Sequence, residues 1–290
     1  MDGNATQGLR LALPKGRMNR GVTELLAQAG IRLTETVRSY RPVANLPHLE
    51  VKLLKPQNIV EMLQAGSRDV GFAGADWVAE LHADLVELLD TGLDPVRVVA
   101  AAPAGLVDEV GRRSRELVVA SEYERLTREW IRARGLSARF VRSYGATEVF
   151  PPEDADLIVD NTATGATLAA NGLVIVDELM DSSTRLYAHP AALEDPGRRR
   201  AVEELVLLLR SVLEARRRVM VEVNVPAARL DEILAVLPCM REPTVSRLAG
   251  DSGFAVKAAV PRSELPTVIP RLKAAGGCDL VVTGLTQIVP

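Results

Sequence analysis

Two rhythms of apolar residues divide this chain, and the change between them near residue 219 limits the folds open to it more than any other feature. Before that point short apolar runs alternate with helical stretches. Residues 9–13 read as a strand, 21–29 as a helix stopped by Gly30, 50–54 as a strand, 56–65 as a helix with Pro56 in its favoured first turn, 69–73 as a strand and 76–81 as a helix. Further strands are expected at 96–102, 117–120, 139–142 and 156–159, with Ser121 as the N-cap of a helix over 122–134. Regular strand–helix alternation predicts an α/β fold with a largely parallel sheet. Two of the apolar strands, 96–102 and 185–188, are placed to cross between lobes. That arrangement leaves a discontinuous first lobe, an inserted second lobe and a cleft between them, the usual ligand site of such folds.

A long helix over 196–218 follows, with Val202, Leu205, Val206, Leu209, Val212 and Leu213 recurring at three and four residues. Its bracketing arginine runs, 198–200 and 216–218, read as solvated helix ends, and the second suits the helix dipole. Then Val219-Met-Val-Glu-Val-Asn-Val225 alternates strictly, the mark of a half-buried strand. A helix at 226–237, strands at 244–248 and 254–260, a helix at 263–275 and a strand at 279–288 complete the order β-α-β-β-α-β, a ferredoxin-like module. A unit of about seventy residues has a small core of its own and is expected to pack against something else.

The strongest local signal for chemistry is Asp160-Asn-Thr-Ala-Thr-Gly-Ala-Thr-Leu168. It follows an apolar strand and opens a helix of small residues. Unpaired N–H groups at a helix start, with Thr162, Thr164 and Thr167 hydroxyls beside Gly165 and Ala166, make a cradle for a phosphate ester. Asp160 is suited to hold sugar hydroxyls or a magnesium-bound group. An ordinary strand–loop–helix connection with threonine caps reads the same way. Pro14-Lys15-Gly16-Arg17 is a second such turn, with two cations beside a glycine; Arg suits bidentate phosphate contacts and Lys acts as a point charge. One anion site in each lobe points to a substrate with phosphates at both ends, or to two phosphorylated substrates. Gly74 and Asp76 end a strand and start a helix, so Asp76 is either an N-cap or a cleft-lining group. Glu148, after Tyr144-Gly-Ala-Thr147, is either a dipole-favoured first-turn acid or a cleft carboxylate near ribose or adenine.

Several classes find no support. The formal charge of −3 gives no footing for a general nucleic-acid binder. No apolar run approaches the roughly 18 residues a membrane span needs. The start, Met1-Asp-Gly-Asn-Ala-Thr-Gln7, lacks the form of a signal peptide, so a cytoplasmic location is expected. Cys239 and Cys278 are the two cysteines, read as small core hydrophobes, and His48, His82 and His189 are scattered, so no metal-ligand set of protein side chains is expected. Neither a Gly-x-Ser-x-Gly element nor a Walker sequence occurs. Phosphate handling without a nucleophile suits group transfer from a phosphorylated sugar.

Taken in order, Leu11-Ala-Leu-Pro-Lys-Gly-Arg17, Asp69-Val-Gly-Phe-Ala-Gly-Ala-Asp76, Thr164-Gly-Ala-Thr-Leu-Ala-Ala-Asn-Gly-Leu173, Val223-Asn-Val-Pro226 and Pro243-Thr-Val-Ser246 resemble the long form of ATP phosphoribosyltransferase, the enzyme of the first step of histidine biosynthesis. The resemblance spans nearly the whole chain. It implies two catalytic lobes like those of a periplasmic binding protein, residues 1–102 with 184–212 and residues 103–183, and an ACT-like regulatory domain at 213–290. It implies that N1 of ATP displaces pyrophosphate from C1 of phosphoribosyl diphosphate with Mg2+. In that scheme Asp160, Thr162, Thr164, Gly165, Ala166 and Thr167 hold the 5′-phosphate and ribose. Lys15 and Arg17, around Gly16, face pyrophosphate and the ATP phosphates, and Glu148 lies near ribose or adenine. The resemblance further implies dimers assembling to hexamers and feedback inhibition by histidine bound near Thr244. Gly145-Ala-Thr-Glu148 stands where the family usually has Gly-Ser-Val-Glu, and Thr162-Ala-Thr-Gly165 where it has Val-Glu-Thr-Gly or Val-Ser-Thr-Gly. Two other readings remain open: a phosphoribosyltransferase with a different base acceptor, and a non-catalytic two-lobed anion sensor.

Overall fold

Alternation decides the interior of the first unit. In the computed structural model, which describes residues 8–34, 40–106, 115–240 and 242–289, the chain divides into residues 1–27 with 31–204 and residues 28–30 with 205–290. The segment 1–7, on which the reading of the N-terminus rested, lies outside the described residues.

Strand β1 (Leu9–Pro14) leads into helix α1 (Arg17–Gln28); two short strands, β2 (Leu33–Thr34) and β3 (Val43–Ala44), precede β4 (Leu49–Leu54). Helix α2 (Pro56–Gln64) buries Ile59, Val60 and Leu63, a three–four spacing that makes one apolar face. Strand β5 (Val70–Gly74), fully buried, runs straight into helix α3 (Ala75–Glu80). Strands β4, β1 and β5 pair in parallel. The second half repeats this grammar: β7 (Leu117–Ser121), helix α4 (Glu124–Arg134), β8 (Ala138–Arg142), β9 (Leu157–Thr162) and helix α5 (Ala166–Ala170), with β7 parallel to both β8 and β9.

Two long strands join the halves, β6 (Val86–Pro103) and β10 (Leu173–Ala188), paired antiparallel from Leu173↔Pro103 to Ala188↔Val86. Beyond each other, β10 pairs with β5 and β6 with β9, both antiparallel. The result is one ten-stranded sheet, β2-β3-β4-β1-β5-β10-β6-β9-β7-β8. It is parallel in β4-β1-β5 and in β9-β7-β8, and antiparallel at the centre and at the β2-β3-β4 edge, rather than largely parallel. The crossing strands extend well past their apolar cores at 96–102 and 185–188. The remainder, such as Glu87, Asp90, Thr91, Gly92 and Asp94, reads as loop because half of it faces solvent. Register shifts along the pair absorb the irregularity. Alternate β6 residues serve both faces: Val98, Ala100 and Ala102 pack with Tyr123 and Trp130, while Val99 and Ala101 pack with Ile158 and Leu168.

At the strand ends opposite the turns, the buried Asp69 carboxylate accepts from Arg10 N, Nε and Nη2 at 2.7, 3.0 and 2.6 Å. Burial works against its charge, but those hydrogen bonds outweigh it and hold the carboxyl below its ordinary range. Arg198 adds a contact at 3.4 Å. Asp69→Ala leaves two arginines facing a buried gap, so the urea midpoint is expected to fall by the equivalent of about 3 kcal/mol. The cleft at the other strand ends should be untouched; an unchanged midpoint would contradict this account.

In the second unit, helix α6 (Pro190–Glu194) and the start of α7 (Pro196–Arg217) having closed the first, strand β11 (Arg218–Val225) is followed by α8 (Leu230–Val236), β12 (Thr244–Arg247), β13 (Phe254–Pro261), α9 (Leu265–Ala274) and β14 (Cys278–Gly284). The sheet order β12-β13-β11-β14, antiparallel throughout, is that of a ferredoxin-like module. Val219, Val221, Val223 and Val225 are buried against Ile233, Val268 and Leu272, as the strict alternation requires. Cys239 is half-buried and packs against this core, whereas Cys278 is exposed rather than a core residue, because it opens the edge strand β14, most of whose residues face solvent.

Candidate functional site

Parallel strands present their carboxyl ends together, and here those ends belong to β1, β5, β7 and β9. The β1 turn is clamped on both sides: Lys15 N–H donates to Leu54 O at 2.8 Å and Asn19 Nδ2 to Pro14 O at 3.0 Å. Lys15 Nζ lies 3.4 Å from the centre of the Tyr40 ring. Lys15 and Arg17 line a cleft of about 360 Å³ with Asp76, Trp77, Glu122 and Asn161. Cations from one half and polar groups from the other therefore share one hollow.

Gly74 and Asp76 lie on its floor, in a role that sequence alone did not reveal. Asp76 is 5% exposed, and both its carboxylate oxygens are engaged: Ser182 Oγ donates at 2.7 Å and Tyr123 Oη at 2.6 Å. Asn161 Nδ2 donates in turn to Tyr123 Oη at 2.8 Å. Burial, and then the charge of Asp76, push the Tyr123 hydroxyl well above its ordinary value, so it keeps its proton. A Cβ on Gly74 would sit 2.1 Å from Asp76 Oδ1, so only glycine leaves room for this carboxylate. Tyr123 and Ser182 belong to no recognisable motif, and Asn161, though inside the Asp160–Leu168 stretch, is given no role by the sequence reading. Asn161 was in view beside Asp160, and its polar side chain at a strand end was the available signal.

Helix α4 starts two residues later than expected, and Ser121 is not its cap. Ser121 Oγ accepts from Tyr123 N–H at 2.9 Å and donates to Val159 O at 2.5 Å. The helix N-terminus is capped instead from the other half: Arg125 N–H and Leu126 N–H donate to the two oxygens of Glu80, each at 3.0 Å. Arg125 Nε returns a hydrogen bond to Ala79 O at 2.9 Å. Helices α3 and α4 thus cap each other.

Asp160 ends β9. Its carboxyl is pushed up to about 6, first by burial and then by the charges of Glu148, Glu122 and Asp76, against a 2.7 Å hydrogen bond from Asn161 N–H. Glu148, in a single 3-10 turn at Thr147–Val149, is therefore an electrostatic neighbour of Asp160. In the loop that follows, Gly165 N–H donates to Thr162 Oγ1 at 2.9 Å and Ala166 N–H to Thr164 Oγ1 at 3.3 Å. The expectation that the N–H groups at this helix start are unpaired is thus corrected for these two: threonine oxygens take them up. Thr162 is buried and caps the loop, and Gly165 takes φ +79°, the left-handed region that favours glycine. Thr164, Ala166 and Thr167 face solvent. None of residues 164–167 lines the 360 Å³ cleft; a second hollow of about 410 Å³, which shares Val96, Ser182 and Ser183 with it, reaches the loop at Ala163.

In the second unit Thr244 lines a hollow of about 300 Å³ with Met220, Met240, Glu242 and Lys257. Among the described residues, no cluster of three or more His, Cys, Asp or Glu could hold a metal ion, and no helix is long and apolar enough to cross a membrane.

A family model described as ATP phosphoribosyltransferase matches residues 55–211, and a second, the C-terminal domain of HisG, matches residues 215–287. The ATP phosphoribosyltransferase of Pelotomaculum thermopropionicum is 38% identical over 292 residues, covering 97% of this chain and 99% of its own. That of Desulforudis audaxviator is 38% identical over 290 residues, with 97% and 99% covered. Among solved structures, a chain of the ATP phosphoribosyl transferase (HisG:HisZ) complex from Thermotoga maritima is similar at a TM-score of 0.63 and 27% identity, covering 71% of this chain and 98% of that one.

Proposed function

This chain belongs to the ATP phosphoribosyltransferase family, a transferase family of histidine biosynthesis, and we propose that the cleft bounded by Lys15, Arg17 and Asn161 is where it transfers the phosphoribosyl group to ATP. The observation that carries this reading is the convergence of the β1 cation turn and the β9 end on adjoining hollows.

The reaction at C1 of phosphoribosyl diphosphate passes through a cation-like sugar with a departing pyrophosphate. Lys15 and Arg17 stabilise the leaving charge. Asp160 and Glu148 hold ribose hydroxyls, and their negative field favours positive charge developing on the sugar. The exposed Thr164 and Thr167 hydroxyls, with Ala166 at the helix start, take the 5′-phosphate, while Thr162 and Gly165 hold the loop in shape. Adenine N1 already carries its lone pair, so no side chain need remove a proton from it, and orientation does much of the remaining work, worth on the order of 7–11 kcal/mol. Mg2+ held by the substrates' phosphates would add to the charge neutralisation that Lys15 and Arg17 supply. The direct test is incubation with ATP, phosphoribosyl diphosphate and Mg2+, followed at the adenine absorbance band. Substrate binding without product would favour another acceptor base or a non-catalytic sensor.

Residues 1–102 with 184–212 and 103–183 act as the two catalytic lobes, and 213–290 as the regulatory domain. The hollow at Thr244 is the histidine site in this reading, and the chain assembles as dimers and hexamers. Thr244→Ala removes one hydroxyl from that hollow. The expected result is inhibition by histidine weakened about tenfold, the worth of one hydrogen bond, with uninhibited turnover within about twofold of wild type. Unchanged inhibition would move the effector elsewhere.

A further inference from the structure

The hydrogen-bond chain on the cleft floor has a direction. A carboxylate only accepts, so Ser182 Oγ and Tyr123 Oη both donate to Asp76. The single Tyr123 proton is thereby committed, and its oxygen is left to accept. The Asn161 atom 2.8 Å away is then the amide nitrogen, not the oxygen. That nitrogen also faces Asp160 Oδ1 at 3.4 Å, so both amide hydrogens turn inward. The Asn161 Oδ1 remains an acceptor, on a residue that lines the cleft, and no donor among the described residues meets it.

We propose that Asn161 Oδ1 is a specificity-determining acceptor for a hydrogen-bond donor on the substrates, either the exocyclic amine of the purine or a ribose hydroxyl, and that Tyr123 is the positioning residue that keeps the amide from flipping. The proposal rests on the reading of the cleft as the transfer site. Without the Tyr123 hydroxyl only the longer 3.4 Å contact with Asp160 Oδ1 holds the Asn161 amide, so it turns more readily. Its NH2 then faces the substrate donor, so an attraction becomes a clash of two donors.

The test is steady-state kinetics of the full-length enzyme with Mg2+, comparing wild type, Tyr123→Phe, Asn161→Ala and the double variant. Each is assayed with ATP and with purine riboside 5′-triphosphate, which keeps N1 and lacks the amine. Phe retains the ring that packs 4.8 Å from Trp77, so tryptophan fluorescence reports the fold. Asn161→Ala, at a half-exposed position, keeps the test open if Tyr123→Phe folds poorly. We expect each single variant to raise KM for ATP about tenfold with a smaller change in kcat, and the double variant to be no worse than Asn161→Ala, because Tyr123 acts through Asn161. Loss of the effect with the amine-free nucleotide identifies the amine as donor; an equal effect with both nucleotides identifies a ribose hydroxyl. Unchanged KM in folded single variants, or additive effects in the double, would overturn the proposal. If Lys15→Ala is also silent, the cleft itself is misassigned; if Lys15→Ala is inactive, the failure belongs to Asn161 alone.

Discussion

Asp160→Asn should yield a protein that is more stable than wild type and nearly inactive. The carboxyl of Asp160 is pushed up to about 6 from an ordinary 3.8, first by burial and then by Glu148, Glu122 and Asp76. The folded chain therefore holds this proton more tightly than the unfolded chain. Stability contributed by the group is full below about 4, declines as pH rises toward 6, and is absent above. A shift of this size, discounted for a site that opens to the cleft, destabilises the native state at neutral pH by on the order of 2 kcal/mol. Asparagine removes the charge and keeps an oxygen for the Asn161 N–H, now at 2.7 Å. Its urea midpoint should exceed that of wild type at pH 7.5, with the gap closing by pH 4. Activity should fall about 100-fold, because a neutral amide neither holds ribose hydroxyls as strongly nor favours the cationic sugar. A variant as active as wild type, or less stable at pH 7.5, would refute the assignment. In the proposed mechanism, a half-buried carboxylate with three others near it is what a developing positive charge needs.

Lys15→Ala should abolish most turnover without disturbing the fold. The side chain is half-exposed, and the turn is held by the main chain and Asn19 rather than by the Lys15 amine. At about 4 Å, with an effective dielectric near 20, an ammonium and a phosphate charge attract by about 4 kcal/mol. The contact with the exposed Tyr40 ring is worth only about 0.5–1 kcal/mol, so an arriving pyrophosphate wins the lysine from the ring. Removing the charge should lower kcat/KM by a factor on the order of 100, with an unchanged urea midpoint. Wild-type turnover would show that pyrophosphate leaves from somewhere else.

Much of this architecture was legible before any coordinates. The central parallel strands β1, β5 and β7 and the start of β9 are apolar on both faces, and so stand out. The alternation at 219–225 announced the second unit, because its buried face is made of valines at every other position. The long strands β6 and β10 were seen only in part. The outer stretch of β6 is polar and broken by Gly92 and Pro95, and pairing with β10, not propensity, makes it strand. Lys15, Arg17, Asp160 and the threonine loop could be proposed from sequence because such turns are local objects, built from adjacent residues with glycine where the backbone must bend.

By itself the sequence determined the short-range grammar: the alternation of short strands and helices, and the change of period at 219 that marks the second unit. Only the tertiary structure decided that Asp76 is a buried anchor, that Glu80 caps a helix in the other half, and that the Asn161 amide donates to Tyr123. Tyr123 lies 47 positions from Asp76, and Ser182 lies 106 positions from it. Hydrogen bonds over such separations follow from how strands cross and register, and no local pattern records which distant partner a buried polar group will meet.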